Sequence, residues 1–357
     1  MIRLSRGIVA GAVALGMVVA GASLASATSI TGGGASFQGT FQATCAAAYT
    51  THSVSYVASA SGTGRNQFAT GNFDFAGSDA AYGSKEYKGR YLEDQPAPYD
   101  GGFNFVPITA GPIAFAFNIP GVTSLNLDHR TASKILRGDI SKWNDAAIKK
   151  LNPKAKLPSN AIVVVYRSSN SGTTQNLAQY MRKLGEDAPG FWKDSGVFTT
   201  ANGTGAPAGS LGFVSNQQVT TAVKDTKYSF GYADLADLKS QGIKSLVALK
   251  NPAGEFVVPT AATAAKFVAK VTNVQEDSGL VGLDWDKKIK GAYNLVAVTY
   301  LIGDDGASSD KAKAVEDYAN YLLDTCGPKE AAKAGYVPLG GKILKVAKAQ
   351  AAKISTN

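Results

Sequence analysis

Short runs rich in Val and Ile alternate along this chain with stretches that carry apolar residues at helical spacing. The runs predicted as strands are 54–58, 105–108, 114–118, 162–166, 230–233 and 296–301. Because they lack a strict polar alternation, these runs suit strands that are buried on both faces. The stretches 173–184 and 312–323 predict helices. Strands that alternate with helices indicate an α/β fold.

The chain begins with a segment typical of secretion. Arg3 and Arg6 precede a short apolar run, and the small residues at 25–27 form a small-x-small cleavage site. This order is typical of a secretory signal peptide. We therefore expect residues 1–27 to be removed and the protein to be exported; an uncleaved N-terminal anchor is the alternative.

Composition narrows the classes of protein. A length of 357 residues suggests two domains, and 45% hydrophobic with 18% charged residues is typical of a globular chain. Two Cys exclude a Cys-rich zinc module, and two distant His, His52 and His129, argue against a multi-histidine metal site and a Ser/His/Asp enzyme. In an oxidising compartment Cys45 and Cys326 either pair or remain separate thiols.

A strand or loop that leads into a helix through Gly and hydroxyl residues occurs three times. The three segments are Gly-Gly-Gly-Ala-Ser-Phe at 32–37, Ser-Ala-Ser-Gly-Thr-Gly at 59–64, and Arg-Ser-Ser-Asn-Ser-Gly-Thr-Thr at 167–174. Ser and Thr cap helices, and the free N–H groups of a first helical turn attract anions. Each segment alone is most simply an ordinary capped helix. Three of them in one cleft, with Arg167 beside the third, would form an oxyanion site.

Asp79 follows the apolar run at 73–78. A carboxylate beside an anion is unfavourable because like charges repel. It becomes favourable if the ligand carries a proton, because an ionised carboxylate only accepts hydrogen bonds. Protonated phosphate offers such a proton, whereas sulfate at neutral pH does not. Asp79 would then reject sulfate; a surface or capping Asp is the alternative.

Three other segments carry weaker expectations. Residues 83–102 are predicted as a loop with a short helix, and residues 201–212 as a surface loop. Near the C-terminus, Lys342, Lys345, Lys348 and Lys353 indicate a solvated basic helix.

From about residue 30 to residue 177 the motifs resemble those of the extracytoplasmic phosphate-binding protein of the high-affinity phosphate ABC transporter. The resemblance rests on the first segment at 32–37, Ser-Gly at 61–62, Asp-Phe-Ala-Gly-Ser-Asp-Ala at 74–80, Gly-Pro-Ile-Ala-Phe-Ala-Phe-Asn-Ile-Pro-Gly at 111–121, Gly-Asp-Ile-Ser-Lys-Trp-Asn-Asp at 138–145, Leu-Asn-Pro-Lys-Ala-Lys-Leu-Pro at 151–158 and the third segment at 167–173. Their order and spacing are specific to that family. The matches at 230–232 and 300–302 are weaker.

The resemblance implies a phosphate site made without metal or cofactor. Its implied ligands are Ser36, Phe37, Ser61, Asp79, Arg167, Ser171, Gly172 and Thr173. Asp79 would accept the proton of phosphate, Arg167 would contact its oxygens, and the others would donate through hydroxyl or N–H groups. The chain departs from the family at Ser169, where an Asp that pairs with the Arg is expected, and within 209–221.

The resemblance also implies the architecture. It is a two-domain, type II periplasmic-binding-protein fold, in which mixed central sheets are flanked by helices and two crossover strands form a hinge. Domain 1 would comprise 28–117 and 293–357, and domain 2 would comprise 118–292. This arrangement would place Cys45 and Cys326 in one domain and so favours a disulfide between them.

The implied function is that of a receptor, not an enzyme. A monomeric exported protein, periplasmic or associated with the cell envelope, would capture inorganic phosphate and deliver it to the transmembrane subunits of an ABC permease, without nucleic-acid partners. The alternatives are a receptor for another protonated oxyanion such as arsenate, a secreted phosphate-ester hydrolase, and an envelope protein that holds polyanions through its formal net charge of +9.

Overall fold

The computed structural model describes residues 27–81, 102–185 and 191–356. The predicted signal peptide, except for Ala27, and most of the predicted loop at 83–102 therefore lie outside the described residues. Within these ranges the strands are β1 (Ser29–Ala35), β2 (Ser53–Ser59), β3 (Phe75–Ser78), β4 (Gly102–Phe117), β5 (Leu125–Leu127), β6 (Val163–Arg167), β7 (Leu211–Phe213), β8 (Ser229–Asp234), β9 (Val247–Lys250), β10 (Phe256–Val257) and β11 (Val296–Asp305).

The described strands form two sheets. An eight-stranded mixed sheet has the order β2-β1-β3-β11-β4-β8-β6-β7, and a three-stranded sheet has the order β10-β9-β5. The predicted strands at 54–58, 162–166, 230–233 and 296–301 correspond to β2, β6, β8 and β11. The predicted mixed α/β architecture is therefore confirmed.

β4 joins the two halves of the large sheet. Its residues 102–112 pair antiparallel with β11, and its residues 113–117 pair with β8. The sequence predicts two strands here, and that prediction is wrong because the structure has one continuous strand. Pro112 lacks an N–H, yet it stands where β4 changes partner, a position at which a sheet tolerates a missing donor.

The helices pack on both sides of these sheets. They are α1 (Gly39–Ala48), α2 (Ser61–Ala69), α3 (His129–Arg137), α4 (Ala146–Leu151), α5 (Gly172–Leu184), α6 (Phe198–Ala201), α7 (Asn216–Asp225), α8 (Leu235–Ser240), α9 (Ala261–Val268), α10 (Asp310–Tyr321), α11 (Gly327–Ala334) and α12 (Gly341–Ala351). A 3-10 turn, Ser36–Gln38, precedes α1, and a π-helical turn, Leu322–Cys326, continues α10.

The predicted helices at 173–184 and 312–323 are confirmed, although the last two residues of the second belong to the π-helical turn. α2 begins at Ser61, inside the second of the three segments predicted to lead into a helix, at 59–64. Residues 201–212 are not the predicted simple loop, since Ala201 ends α6 and Leu211 begins β7. β7 forms because this short segment adds to the free edge of β6.

The predicted basic helix near the C-terminus is α12. Its Lys342, Lys345 and Lys348 side chains are exposed, whereas Ile343 and Val346 are buried. The buried face packs against β4. Lys353 follows the helix and is also exposed.

A disulfide joins Cys45 to Cys326, whose Cα atoms lie 5.7 Å apart. Cys45 belongs to α1 and Cys326 to the π-helical turn, and both side chains are buried in the main hydrophobic core. The bond links elements that are 281 residues apart in sequence. The pairing that the family resemblance favoured is therefore confirmed.

None of the described helices is long and apolar enough to cross a membrane.

Candidate functional site

The three segments predicted to start helices meet in the interior of the protein. α2 begins at Ser61, with one residue between it and the end of β2, and α5 begins at Gly172, with four residues between it and the end of β6. Ser61 Oγ accepts a hydrogen bond from Gly172 N at 3.2 Å, and Gly62 N donates to Asn170 O at 3.1 Å. The first segment follows β1 as the 3-10 turn Ser36–Gln38 and reaches the same region through α7.

The Ser61 hydroxyl is oriented by two backbone donors. Asp79 N and Gly172 N donate to Ser61 Oγ at 3.1 and 3.2 Å. Because these bonds use both lone pairs of the oxygen, the hydroxyl hydrogen is left to donate to another group. Gly172 is required for this close approach, since a Cβ there would lie 2.5 Å from Ser61 Oγ.

The eight residues that the resemblance singles out are all buried: Ser36, Phe37, Ser61, Asp79, Arg167, Ser171, Gly172 and Thr173. Ser171 caps α5, because its Oγ accepts from Thr174 N at 3.2 Å. Phe37 O accepts from Tyr336 Oη at 2.7 Å, which holds the 3-10 turn against the sheet.

Asp79 lies directly after β3 and is only 4% exposed. Its Oδ1 accepts a hydrogen bond from Thr299 Oγ1 at 2.7 Å, and its Oδ2 accepts one from Thr173 Oγ1 at 3.4 Å. Burial raises the pKa of Asp79 to about 7, although the Thr299 bond and the charge of Arg167 both act to lower it. Near neutral pH this carboxyl group is therefore present in both its protonated and its ionised form.

Arg167 ends β6 and is held by neutral acceptors. Nε donates to Val214 O at 2.8 Å, Nη1 to Asn216 Oδ1 at 2.6 Å, and Nη2 to Ser59 O and Ser169 Oγ at 3.1 Å each. Burial lowers the pKa of Arg167 to about 10, so the guanidinium stays charged at neutral pH. Ser169, which replaces the expected Asp, contributes a hydroxyl acceptor in its place.

Asn216 is a site residue that the sequence analysis missed. Its Nδ2 donates to Thr173 Oγ1 at 3.2 Å and to Asp234 Oδ2 at 2.9 Å, and its N donates to Ser36 Oγ at 2.9 Å. Together with its bond to Arg167, these contacts make it the hub of the site. The capping box of α7, Ser-x-x-Gln at 215–218, is readable in the sequence and marks the helix start. Only the tertiary structure places this side chain against Arg167.

Two further carboxylates lie behind Asn216. Asp234 Oδ1 accepts from Asp237 N at 2.9 Å, and Asp237 Oδ1 accepts from Thr40 Oγ1 at 2.8 Å and Gln217 Nε2 at 3.0 Å. Burial and the charge of Asp237 raise the pKa of Asp234 well above its ordinary value. The amide of Asn216 thus connects Arg167 to a carboxylate without a direct ion pair between them.

The arrangement suits recognition of an oxyanion better than catalysis on one. It combines oriented hydroxyl and amide donors, a single guanidinium, and one acceptor carboxylate, Asp79. His52 Nε2 lies 3.3 Å from Asp317 Oδ2, and His129 begins α3 and lines a different cleft from the one that Asp79 lines. In the described part of the chain no three His, Cys, Asp or Glu residues are grouped as a metal site requires.

A cleft of about 410 Å³ reaches Asp79 from the surface. Gln175 and Asn176 of α5 line one side, and Val298 and Tyr300 of β11 line the other. The cleft is thus lined by residues that are more than 100 positions apart in the sequence.

Comparison of the sequence with known protein families identifies the family to which the chain belongs. Residues 20–325 match the model of the PBP superfamily domain. The phosphate-binding protein PstS of Pasteurella multocida is 31% identical over 334 residues, which cover 91% of this chain and 90% of that protein. The phosphate-binding protein PstS 3 of Mycobacterium leprae is 30% identical over 291 residues, which cover 80% of this chain and 75% of that protein.

Solved structures of similar fold agree with this match. A high-affinity periplasmic phosphate-binding protein with bound phosphate superposes with a TM-score of 0.74 at 21% identity, over 90% of this chain and 93% of that one. A phosphate-binding protein from Stenotrophomonas maltophilia gives a TM-score of 0.68 at 19% identity, over 90% and 94% of the two chains. At these identities the likeness concerns the fold, and it confirms the predicted two-domain binding-protein architecture.

Proposed function

Because this chain belongs to the PBP superfamily, and within it to the PstS family of phosphate-binding proteins, we propose that it captures inorganic phosphate at the buried site around Asp79 and Arg167. It is a receptor of the kind that serves an ABC phosphate transporter. The observation that carries the assignment to this site is the meeting of the three helix starts around one guanidinium and one carboxylate.

The proposed ligand contacts divide by chemistry. Oriented hydroxyl donors come from Ser36, Ser61 and Thr173, and backbone donors come from the turn at Phe37 and the start of α5. The phosphate contacts are proposed for Ser36, Phe37, Ser61, Asp79, Arg167, Ser171, Gly172 and Thr173. An anion removed from water loses many kcal/mol of hydration free energy, and hydrogen bonds to all its oxygens must offset this cost. The site therefore needs many donors.

Bound phosphate would replace bonds that these residues now make with one another. Asn216 bonds to Ser36, Thr173 and Arg167, which are all proposed phosphate ligands. Arg167 Nη1 donates to Asn216 Oδ1, and a phosphate oxygen would accept this bond more strongly, because bonds to an anion are charge-assisted. Asn216 then keeps its bond to Asp234 and moves with α7.

Asp79 is proposed to select for a protonated ligand. While ionised it can only accept a hydrogen bond, and phosphate supplies the proton that completes this bond. Sulfate brings no proton and meets a negative charge instead. The discrimination follows from one carboxylate, so it does not require a change in the shape of the site.

Binding is proposed to close the two predicted domains, 28–117 with 293–357 and 118–292, around the hinge at β4 and β11. Several bonds already link them, including Ser59 O to Arg167 and Ser61 Oγ to Gly172. A ligand that contacts both domains favours the closed form and excludes water from its own hydrogen bonds. The closed form is proposed to dock, as a monomer, on the permease after export and removal of residues 1–27.

Titration calorimetry tests the function. The purified protein is unfolded, dialysed to remove carried-over anion, refolded, and titrated with phosphate, arsenate and sulfate at about pH 9, about two units above the pKa of Asp79, where this carboxyl group is ionised and phosphate still carries one proton. We expect tight binding of phosphate and sulfate binding weaker by at least about a hundredfold, which corresponds to the 2–3 kcal/mol of one charged hydrogen bond. Equal affinities for phosphate and sulfate would refute the role of Asp79.

Turnover of a chromogenic phosphate ester, measured with and without divalent metal ions, tests the alternative that the protein hydrolyses phosphate esters. We expect no turnover, because no activated nucleophile faces the site among the described residues. Turnover that is lost in Asp79→Asn and Arg167→Ala variants would instead assign an enzyme to this cleft.

A further inference from the structure

A continuous row of buried polar side chains leads away from Asp79 into the first predicted domain. Its members, here called the relay, are Thr299, Gln38, Gln42 and Tyr318. Tyr318 Oη donates to Gln42 Oε1, Gln42 Nε2 donates to Gln38 Oε1, Gln38 Nε2 donates to Thr299 Oγ1, and Thr299 Oγ1 donates to Asp79 Oδ1, each at 2.7 Å. The proposed function uses none of these four residues.

The direction of the relay is set by a backbone carbonyl. Gln38 Nε2 also lies 3.0 Å from Tyr300 O, which can only accept. The nitrogen of the Gln38 amide must therefore face Tyr300 and Thr299, and its oxygen must face Gln42. Gln42 consequently presents its own nitrogen to Gln38.

Thr299 passes this direction on to Asp79. Its oxygen already accepts from Gln38, so its hydrogen is available to donate. Asp79 Oδ1 lies 2.7 Å away, whereas the alternative acceptor, Ser78 O, lies 3.3 Å away. The hydroxyl hydrogen therefore points to Oδ1.

A β-bulge aims the Thr299 side chain. The register between β11 and β4 shifts between Thr299 and Tyr300, so that Thr299 pairs with Thr109 and Tyr300 pairs with Pro107. Bulges commonly redirect a side chain next to a functional site. Tyr300 also pairs with Ser78 of β3, which places Thr299 beside the residue that follows that strand.

We infer that the relay is a positioning device: it keeps Oδ1 of Asp79 an acceptor, so that the proton of the ligand is recognised at Oδ2. This inference rests on the proposed function. A donor that faces Oδ1 disfavours a proton on that atom and favours the ionised carboxylate. Oδ2, which faces Thr173 of the opposite domain, is then the atom that accepts from phosphate.

The pH dependence of the sulfate affinity tests this role of the relay. A protonated Asp79 can donate to a fully ionised anion, so sulfate affinity should rise as the pH falls through the pKa of Asp79. Thr299→Val removes the hydroxyl at nearly constant volume and leaves Oδ1 without its donor. The pKa of Asp79 should rise, and the pH midpoint of sulfate admission should move up by about one unit.

Other ionisable groups around Asp79 are the same in wild type and variant. They are Arg167, Asp234, Tyr56, Tyr300 and Tyr336. Burial raises the pKa of the three tyrosines, which stay neutral below about pH 9. Asp234 has its own raised pKa but shares no hydrogen bond with Thr299, so its titration is common to both proteins.

The experiment measures phosphate and sulfate affinities of the wild-type full chain, Thr299→Val, Thr299→Ser and Thr109→Val from about pH 5.5 to about pH 8.5. Thr109→Val is the matched control, because Thr109 is the strand partner of Thr299 and donates its buried hydroxyl to Val337 O. We expect Thr299→Val to raise the ratio of sulfate to phosphate affinity near pH 7.5 by about tenfold. Thr299→Ser and Thr109→Val should keep the wild-type midpoint.

The outcomes separate this inference from the proposed function. A wild-type protein that does not bind phosphate overturns both. A wild type that selects phosphate, together with a Thr299→Val variant whose two affinities fall by the same factor at every pH, overturns the relay alone. If Thr299→Val does not fold, Gln38→Met removes the donor behind Thr299, and titration of the Asp79 carboxyl carbon by ¹³C NMR must then show a raised pKa or the inference fails.

Discussion

Neutral groups surround the one guanidinium of the candidate site. Arg167 bonds to two backbone carbonyls, to the Ser169 hydroxyl and to Asn216, whose amide reaches Asp234. At the position where the family resemblance led us to expect an Asp, Arg167 meets the shorter Ser169 hydroxyl, and it is linked to the carboxyl group of Asp234 only through Asn216. An arginine without a direct ion-pair partner keeps more of its attraction for an incoming anion.

Replacement of Arg167 tests this charge directly. Arg167→Ala should weaken phosphate binding by about 2–5 kcal/mol, because the anion would lose a buried charged partner. Arg182→Ala is the control, since Arg182 is exposed on α5 and its loss changes the net charge equally. Calorimetric titration measures both variants. An Arg167→Ala affinity equal to that of the control would exclude Arg167 from the site.

The raised pKa of Asp79 also links pH to stability. Its pKa is about 7 in the folded protein and about 3.8 as a free side chain, so only the unfolded chain has released this proton between those values. The contribution of Asp79 to the free energy of unfolding therefore falls as the pH rises from about 4 to about 7. Above about pH 7 the buried Asp79 carboxylate therefore lowers the free energy of unfolding, a cost that we attribute to its proposed role in ligand binding.

Asp79→Asn should remove this cost in the anion-free protein. We expect the free energy of unfolding at pH 8 to increase by about 1–4 kcal/mol, and the loss of stability between pH 5 and pH 8 to become shallower. Urea unfolding at several pH values measures both. Asp225→Asn, at an exposed position of α7, should keep the wild-type slope; an identical slope in both variants would contradict the argument.

At the scale of elements, a disulfide joins α1 to the π-helical turn that follows α10. α1 lies near the start of the described chain and the π-helical turn near its end, and the Cys45–Cys326 bond joins them inside the core. The same region carries the 3-10 turn with Ser36 and Phe37. The disulfide therefore stabilises the part of the core that carries the first helix start, without touching the site itself.

Removal of this bond should lower stability and spare binding. The double variant Cys45→Ala/Cys326→Ala should lose about 2–5 kcal/mol of unfolding free energy, because a long loop is no longer closed in the unfolded chain. Phosphate affinity should change by less than about threefold, since each Cys lies outside the proposed contacts. Urea unfolding and calorimetry measure the two quantities. Reductant should affect the wild type and not the variant.

At the scale of the whole molecule, the net charge of +9 contributes little to the proposed recognition. The lysines of α12 lie on an exposed face, while the candidate site contains one guanidinium and three buried carboxylates, Asp79, Asp234 and Asp237. Surface charges are screened within about 8–10 Å at physiological salt, whereas buried pairs are screened much less. The phosphate affinity should therefore depend little on the charges at the surface.

A salt series distinguishes a buried receptor site from a polyanion-binding surface. Phosphate affinity should change by less than about threefold between about 50 and about 500 mM NaCl, because the proposed site excludes solvent ions. Small-angle scattering in the same buffers should show a smaller radius of gyration with phosphate than without it. A steep linear fall of log affinity with log salt would favour the polyanion class.

The periodicity of the chain was enough for its α/β class and for five of the eleven described strands, and its Ser, Gly and Thr residues marked three helix starts. These features are local, because side-chain spacing and capping act within a few residues. Asp79 and Arg167 could also be chosen as candidate ligands from the sequence. Asp79 follows a buried strand, and Arg167 is the last residue of another.

The continuity of β4, the edge strand β7, Asn216 and the relay behind Asp79 were decided only in the tertiary structure. Each depends on a partner far away in sequence: β4 on β11 and β8, Asn216 on Arg167, and Gln38 on Thr299. The sequence by itself determined which residue types were available and where helices began. Packing of distant segments decided which donor faces which acceptor, because the direction of a buried hydrogen bond is set by both of its partners.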